Sequence, residues 1–445
     1  MLNTQLGEKR LVRDDIRAYY ESGFKSVDDL KIGLEYERLP IFFKTGANAD
    51  YYSEFGICNL LRKFAKADNW DFITDDFNII GLRKEFQTIT LEPGCQFEYS
   101  LTPQKNIKDL KKEIELNDKA LNKHLKEYGI SLLNYGVSPL VTYKSIHLIP
   151  KHRYKIMAKY LWGILSDVMM RETAGIQCCV DFVDEVDMAR KFILANKLVP
   201  FVCAMFANSP IRGGVETGYK SFRALSWLNT DNDRCGFALN LDNDFDIDKY
   251  IEKVLKTPII FLNKDELPLE LNGCINFGQF LNDGYEGFYP TMSDYKLQAN
   301  LYFPEVRLNK FIEIRNHDCV TKDLLMSLVA LYKGLLYDSV AMDEVEDLLK
   351  LFRHIDYSEL RYEVPRFALH SRIKSQKVAD IAKELLSIAE KSLKKQGEGE
   401  EKYLSAIKKY TLKGITPADE ILKNWHGGWN KDINKMISYL IKQSA

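Results

Sequence analysis

A run of seven residues, IGLEYER (32–38), limits the fold more than any other stretch of the chain. It has the composition of a β-strand, yet it carries Glu35 and Glu37 two positions apart. Side chains two apart on a strand project from the same face. Like charges side by side on a buried face are costly unless something compensates them. The sheet that holds this strand must therefore keep that face wet or set positive charge against it. Two more strand-like stretches repeat the pattern. Glu92 and Glu98 flank the Pro93-Gly94 turn in TITLEPGCQFEYS (88–100). In NKFIEIR (309–315), Glu313 is followed two residues later by Arg315, with Ile312 and Ile314 on the opposite parity. Any one of these reads as a solvated sheet face. Three of them among otherwise apolar strands point to one shared polar face.

The rest of the chain supplies material for a large mixed unit. It has 445 residues, 46% of them hydrophobic, enough for a sizeable core. Helices are expected over 10–30 and 153–171, and an amphipathic one over 106–129. There Ile107, Leu110, Ile114, Leu121, Leu125 and Tyr128 keep helical spacing and Gly129 is a natural stop. GIQCCVDF (175–182) reads as a buried strand, and the acidic run Asp184, Glu185, Asp187 opens a helix reaching about residue 206. Beyond residue 322 the pattern is mainly helical, with KSLKKQGEGEEKY (391–403) as a charged, exposed connection. The reading is an α+β fold: one large sheet, helices on its outer face and a mainly helical C-terminal region. The whole chain is expected to form a single catalytic unit, with a sheet-containing core over 10–320 and a helical part over 321–445 packed on it.

Charge and cysteine usage narrow the partners. The 62 basic and 63 acidic residues give a formal net charge of −1, which argues against nucleic acid and anionic membranes and for small molecules. No apolar leader opens MLNTQLGEKRLVRDD, and no apolar run reaches 18 residues, so the chain reads as cytosolic with no membrane span. The eight cysteines are irregularly spaced and include no CxxC, so free thiols are expected.

Carboxylates on one sheet face suit a hard cation such as Mg²⁺, which commonly arrives with phosphate, and an Arg beside such a Glu suits developing phosphate charge. GGVETGYKS (213–221) is not a P-loop, because Tyr219 stands between Gly218 and Lys220. Arg153 and Arg223 lie near aromatic residues and could hold carboxylates bidentately, though a lone Arg is more often a surface ion pair. Gln177 reads as a core amide or a polar ligand. The seven histidines show no HxxxH or HExxH spacing, so a zinc site has no local support. A carboxylate-pair glycosidase would leave the arginines and the five glutamates unexplained.

Taken in order, IGLEYER, TLEPGCQFEYS, IPKHRYKIM, IQCCVDF, FANSP, TDNDRCG and FPEVRLNKFIEIR resemble the motifs of plant-type glutamate–cysteine ligases. The resemblance runs from about residue 14 to TPADEILKNWHGGW (416–429). It implies the glutamine synthetase/guanido kinase-like type of fold, with a curved antiparallel sheet holding the substrates. The implied reaction joins L-glutamate to L-cysteine at the expense of ATP, through a γ-glutamyl phosphate, in a monomer or homodimer. It implies Mg²⁺ or Mn²⁺ held by Glu35, Glu37, Glu92, Glu98 and Glu313, with Gln177 beside the metals. Arg315 would meet the transferred phosphate; Arg153 and Arg223 would bind substrate carboxylates, with Arg223 on the cysteine side. Two positions depart from the family's pattern: Cys95 stands where a glycine is usual, and Cys179 where an asparagine is. Both leave the acceptor amine open, and a non-catalytic relative that binds amino acids or nucleotides is the alternative of another class.

Overall fold

In the computed structural model, which describes residues 9–237, 245–264, 267–350, 357–373 and 375–444, the IGLEYER segment lies mid-sheet as β1 (Ile32–Phe42). The other strands are β2 (Asp71–Asp75), β3 (Asn78–Lys84), β4 (Gln87–Leu91), β5 (Phe97–Ser100), β6 (Ile130–Leu133), β7 (Gly175–Val180), β8 (Val306–Leu308) and β9 (Ile312–Asp318). Their order is β8-β9-β7-β1-β5-β4-β3-β2, with β6 paired to the end of β1, and every pairing in this sheet is antiparallel.

The alternation in β1 sorts its side chains as the strand period demands. Leu34, Tyr36 and Arg38 enter the core behind the sheet, while Glu35 and Glu37 face the other way. Behind the sheet, Tyr36 stacks on Tyr99 at 5.5 Å, and Arg38 sits 5.3 Å from each ring and 2.9 Å from Asp118. Asp118 belongs to α1 (Ile107–Tyr128), whose apolar stripe is buried and whose end is set by Gly129 at φ +68°.

Two helices flank the cavity side, α2 (His152–Tyr160) and α3 (Ser166–Glu172). The helix expected over 153–171 breaks between them because Gly163 packs on the main chain: a Cβ there would lie 2.1 Å from the Thr230 carbonyl oxygen. The helix expected over 10–30 is likewise shorter, Arg13–Glu21, and the chain turns at Gly23 against the backbone of Lys310. Next come α4 (Glu185–Met205), capped by the Asp184 side chain on the Asp187 amide at 2.8 Å, and α5 (Phe222–Leu228).

The C-terminal part is helical as expected: α6 (Lys322–Leu336), α7 (Tyr357–Phe367), α8 (Val378–Gln396), α9 (Pro417–His426) and α10 (Ile433–Ser444). Helix α8 runs into the stretch expected to be an exposed connection. Beyond it Glu400 is 3% exposed, accepting from Lys333 at 2.5 Å and from the Ile107 amide at 2.6 Å. A cation on α6 thus draws this acid inward and ties the connection to α1. The main core spans both parts of the chain, from Leu11 to Ile407, and a smaller one joins β6 to α9 and α10 through Leu133, Trp425 and Met436. All eight cysteines are free thiols. Among the described residues no single helix is long and apolar enough to cross a membrane. Residues 1–8, part of the segment read for a leader, lie outside the described residues.

Candidate active site

A cavity of about 280 Å³ opens over the face of the sheet that carries Glu35 and Glu37. Register decides who shares it. Glu35 pairs with Gln177 on one side and Ser100 on the other, and Glu37 pairs with Glu98, which in turn pairs with Thr90. Farther along, Gly33, Cys179, Glu313 and Arg307 follow one another across β1, β7, β9 and β8. Strands repeat about every 4.8 Å, so these rows spread the polar residues across the sheet. Glu35, Glu37, Glu92, Glu98, Gln177, Arg153 and Arg315, all anticipated from the sequence, line the cavity.

The acid side is held by neutral donors. Glu37 accepts from the Gly175 amide at 2.6 Å and from Gln177 Nε2 at 3.1 Å. Glu98 accepts from Thr90 Oγ1 at 2.7 Å, and Glu92 from the Tyr154 hydroxyl at 3.1 Å. The turn carrying Glu92 is closed by the Cys95 amide on the Glu92 carbonyl at 2.8 Å. Gln96 clamps it, accepting from Gly94 and donating to the carbonyls of Met170 and Thr173. Burial pushes Glu98 well above the usual carboxylate range, and the charges of Glu92, Glu35 and Glu37 push it further. Burial and Glu313 raise Glu35 to about 7. Burial also raises Glu37, against the pull of Arg223.

The opposite side is basic. Glu313 accepts from Arg307 Nε and Nη2, both at 2.9 Å, from Asn309 Nδ2 at 3.0 Å and from Arg315. Burial alone would raise its pKa; the two guanidiniums overcome this and lower it. Both oxygens of Glu313 are thus met by protein donors, and as placed it anchors two arginines.

Arg223 departs from expectation. It is 2% exposed and does not line the cavity. Its Nη2 donates to the Arg315 carbonyl at 3.1 Å, and its guanidinium fills the space left by Gly175, where a Cβ would lie 2.1 Å away. Burial lowers its pKa, and the nearby Glu37 and Asp318 support its charge. It lies beneath the cavity floor because α5 is seated on Ser209 and Ser221, both bonded to Asp318.

Several residues went unanticipated: Arg307, Lys151, Tyr154, Gln96 and Thr90 on the cavity wall. Their signals were local. Lys151 and Tyr154 flank Arg153 in IPKHRY, and Arg307 is set opposite Glu313 by the short hairpin through Asn309 and Lys310. Lys151 has its pKa lowered by burial, with Glu92 opposing.

Among the described residues, no three His, Cys, Asp or Glu groups stand together as a ready cation cage. The donor chemistry still fits a hard divalent ion on the acid side: Glu35, Glu37, Glu92 and Glu98 are oxygen donors lining one cavity, the charges of Glu92, Glu35 and Glu37 add to burial in raising Glu98, and Gln177 Oε1 is a buried acceptor with no partner.

Comparison with known proteins decides the family. The family model Glutamate-cysteine ligase family 2 (GCS2) matches residues 31–436. The chain belongs to glutamate–cysteine ligase family 2. It is 32% identical over 437 residues to the chloroplastic glutamate–cysteine ligase of Nicotiana tabacum, covering 97% of this chain and 83% of that one. With the chloroplastic enzyme of Arabidopsis thaliana the identity is 31% over the same shares. Among solved structures, glutamate–cysteine ligase from Francisella tularensis in complex with AMP superposes with a TM-score of 0.55 at 14% identity, over 95% of this chain and 93% of that one, a likeness of fold.

The relatives also correct the expected compartment. The cytosolic reading does not stand, because these curated members of family 2 are chloroplastic. An apolar leader marks only the secretory route; plastid transit peptides are amphipathic and Ser- and Arg-rich, so its absence was the wrong criterion.

Proposed function

We propose that this family 2 site joins the γ-carboxylate of L-glutamate to the amine of L-cysteine, with ATP converted to ADP and phosphate through a γ-glutamyl phosphate. The observation that carries the reading is one cavity that brings the carboxylates Glu35, Glu37, Glu92 and Glu98 together with the guanidiniums of Arg153, Arg307 and Arg315. Phosphoryl transfer needs little covalent help from a protein; it needs positioning and charge compensation.

Glu35, Glu37, Glu92 and Glu98, with Gln177 Oε1, would hold Mg²⁺ or Mn²⁺. The cation would supply positive charge to the polyphosphate and to the carboxylate under attack. Gln177 and the Gly175 amide fix the Glu37 carboxylate, and Tyr154 and Thr90 fix Glu92 and Glu98. Arg315 stands at the cavity wall, where it would meet the transferred phosphate. Arg153, with Lys151 beside it, is suited to a substrate carboxylate. Arg223 acts from below, by opposing the effect of burial on Glu37 and bonding the Arg315 main chain.

The test is direct. Purified protein is incubated with ATP, Mg²⁺ and glutamate, adding cysteine or one of a panel of other amines, while ADP is followed and products are weighed. γ-Glutamylcysteine in step with ADP is the expected result. ADP release only with another amine changes the acceptor, and no ADP under any condition overturns the ligase reading.

A further inference from the structure

Arg307 was outside every role assigned to this cavity, yet its placement is the most constrained of any cation in it. The register of β8 on β9 sets it directly opposite Glu313, on the cavity face. Two parallel bonds of 2.9 Å, from Nε and Nη2 to the two Glu313 oxygens, fix the plane of its guanidinium. Its remaining nitrogen, Nη1, has only long contacts, 3.4 Å to the Tyr302 carbonyl and 3.5 Å to the Asn300 carbonyl. It therefore keeps donor capacity at the wall. Arg315 Nη1 donates to the same Glu313 Oε1 that accepts from Arg307 Nη2, so one carboxylate fastens two guanidiniums, and the three side chains carry a net positive charge. Arg307, Arg315 and Asn300 line the cavity, Arg307 and Arg315 on β8 and β9 at the edge of the sheet, with Trp227 near Arg315; Glu37 and Glu98 lie farther in, on β1 and β5. A pair of arginines prefixed in this way matches a polyphosphate better than a single carboxylate, because several anionic oxygens can be met at once.

We propose that Arg307 is a second polyphosphate-binding residue of this site, working beside Arg315 on the β- and γ-phosphates of the nucleotide and held in place by Glu313. The proposal rests on the ligase reading for its ligand, ATP. It assigns Glu313 the task of setting the spacing of the two arginines, and it places the nucleotide's phosphates at the β8–β9 end of the cavity.

The experiment is nucleotide binding by calorimetry on the full chain in the presence of Mg²⁺, with ATP, ADP and AMP as the probes. Thermal melting of each variant establishes that it is folded. For Arg307→Ala, ATP and ADP affinity is expected to fall at least tenfold while AMP affinity stays within twofold. Equal loss for all three nucleotides, or loss for none, overturns the proposal. A role exercised only through Glu313 is separated by repeating the substitution in a Glu313→Gln background. There, direct contact with loss of the anchor predicts a smaller but measurable further loss of ADP affinity, and no further loss overturns it. Arg307→Lys keeps a point charge but not the fork; it is expected to melt near the wild type and to recover only part of the ADP affinity, while full recovery removes the bidentate role. Failure of this proposal is distinct from failure of the ligase reading. Wild-type protein that makes γ-glutamylcysteine while Arg307→Ala binds ADP normally rejects Arg307 alone; wild-type protein that binds ADP through Arg307 but releases none with any amine rejects the ligase.

Discussion

The two ends of the cavity use the same residue type for opposite ends. At β1 and β5, carboxylates are held by neutral donors: an amide N–H, a glutamine, a threonine and a tyrosine hydroxyl. Such donors fix geometry without bringing a charge of their own, and burial pushes Glu35, Glu37 and Glu98 up, for Glu35 and Glu37 against the pull of more distant arginines. At β8 and β9, Glu313 is held by two guanidiniums, its charge is more than matched, and it is pushed down. The first arrangement stores a demand for a cation. The second stores an attraction for an anion. Burial is common to both; the charge on the donors decides the use.

The sharpest way to break this comparison is to neutralise one carboxylate at each end. Glu98→Gln and Glu313→Gln should both lower turnover, by 10³-fold or more, or about 4 kcal/mol of transition-state stabilisation. Their stabilities should separate. Glu98→Gln removes like-charge repulsion and should raise the melting temperature in metal-free buffer. Glu313→Gln leaves two guanidiniums facing each other and should lower it. The expected separation is about 2 to 4 kcal/mol between the variants. Equal shifts in melting temperature for both would show that the two ends do not differ in charge balance.

A pH series sharpens the same contrast. On the acid side the folded state resists ionisation, so it binds more protons than the unfolded chain. In metal-free buffer its contribution to stability falls as pH rises from the ordinary carboxylate value towards the folded value, about 7 for Glu35. Glu313 has the opposite sign: its contribution is complete above the ordinary carboxylate value and is lost as pH falls through its lowered one. Mg²⁺ should therefore raise the melting temperature more at pH 8 than at pH 5. A stabilisation independent of pH would remove the raised carboxyls from the cation site.

How much of this was legible in the sequence follows the same physics. Period-two spacing placed Glu35 and Glu37 on one face, and the Pro93-Gly94 turn brought Glu92 and Glu98 to one cavity, because these relations are local. The helix Ile107–Tyr128 was legible from its stripe and its terminal glycine. What depends on distant packing was not. Gly163 breaks a helix because it meets residues 229–230, and Arg223 lies under the floor because Gly175, 48 positions earlier, makes room for it. The pairing of Glu313 with Arg307 is recognisable only once the hairpin register is known.

A smaller effect is expected at Tyr154, whose hydroxyl donates to Glu92 at 3.1 Å and to the Leu91 carbonyl at 3.3 Å. Tyr154→Phe removes the donor and keeps the ring. It should lower stability by about 1 kcal/mol and raise the Mg²⁺ concentration needed for half-maximal turnover several-fold, with kcat changed less. Arg307→Lys should leave that Mg²⁺ requirement nearly unchanged. A metal requirement that moved equally in both variants would mean the two ends are not separate devices.

The smallest effect is expected for Cys95→Gly, at one of the two departures from the family's pattern. Cys95 has φ +73°, in the left-handed region, and is 1% exposed. A residue with a Cβ is strained there by about 1 kcal/mol, while glycine adopts that backbone freely. Cys95→Gly relieves the strain but removes a small buried side chain, and the two terms are of similar size. Its stability should therefore stay within about 1 kcal/mol of the wild type, and its activity close to it, because the turn is also held by the Glu92–Cys95 and Gly94–Gln96 bonds. Cys95→Val adds a β-branched side chain to the same strained backbone and should lose about 2 kcal/mol or more, with Glu92 displaced and the Mg²⁺ requirement raised. Equal stability of the valine and glycine variants would show that the backbone at residue 95 is not under strain. The turn would then owe its geometry to the Glu92–Cys95 bond and the Gln96 clamp.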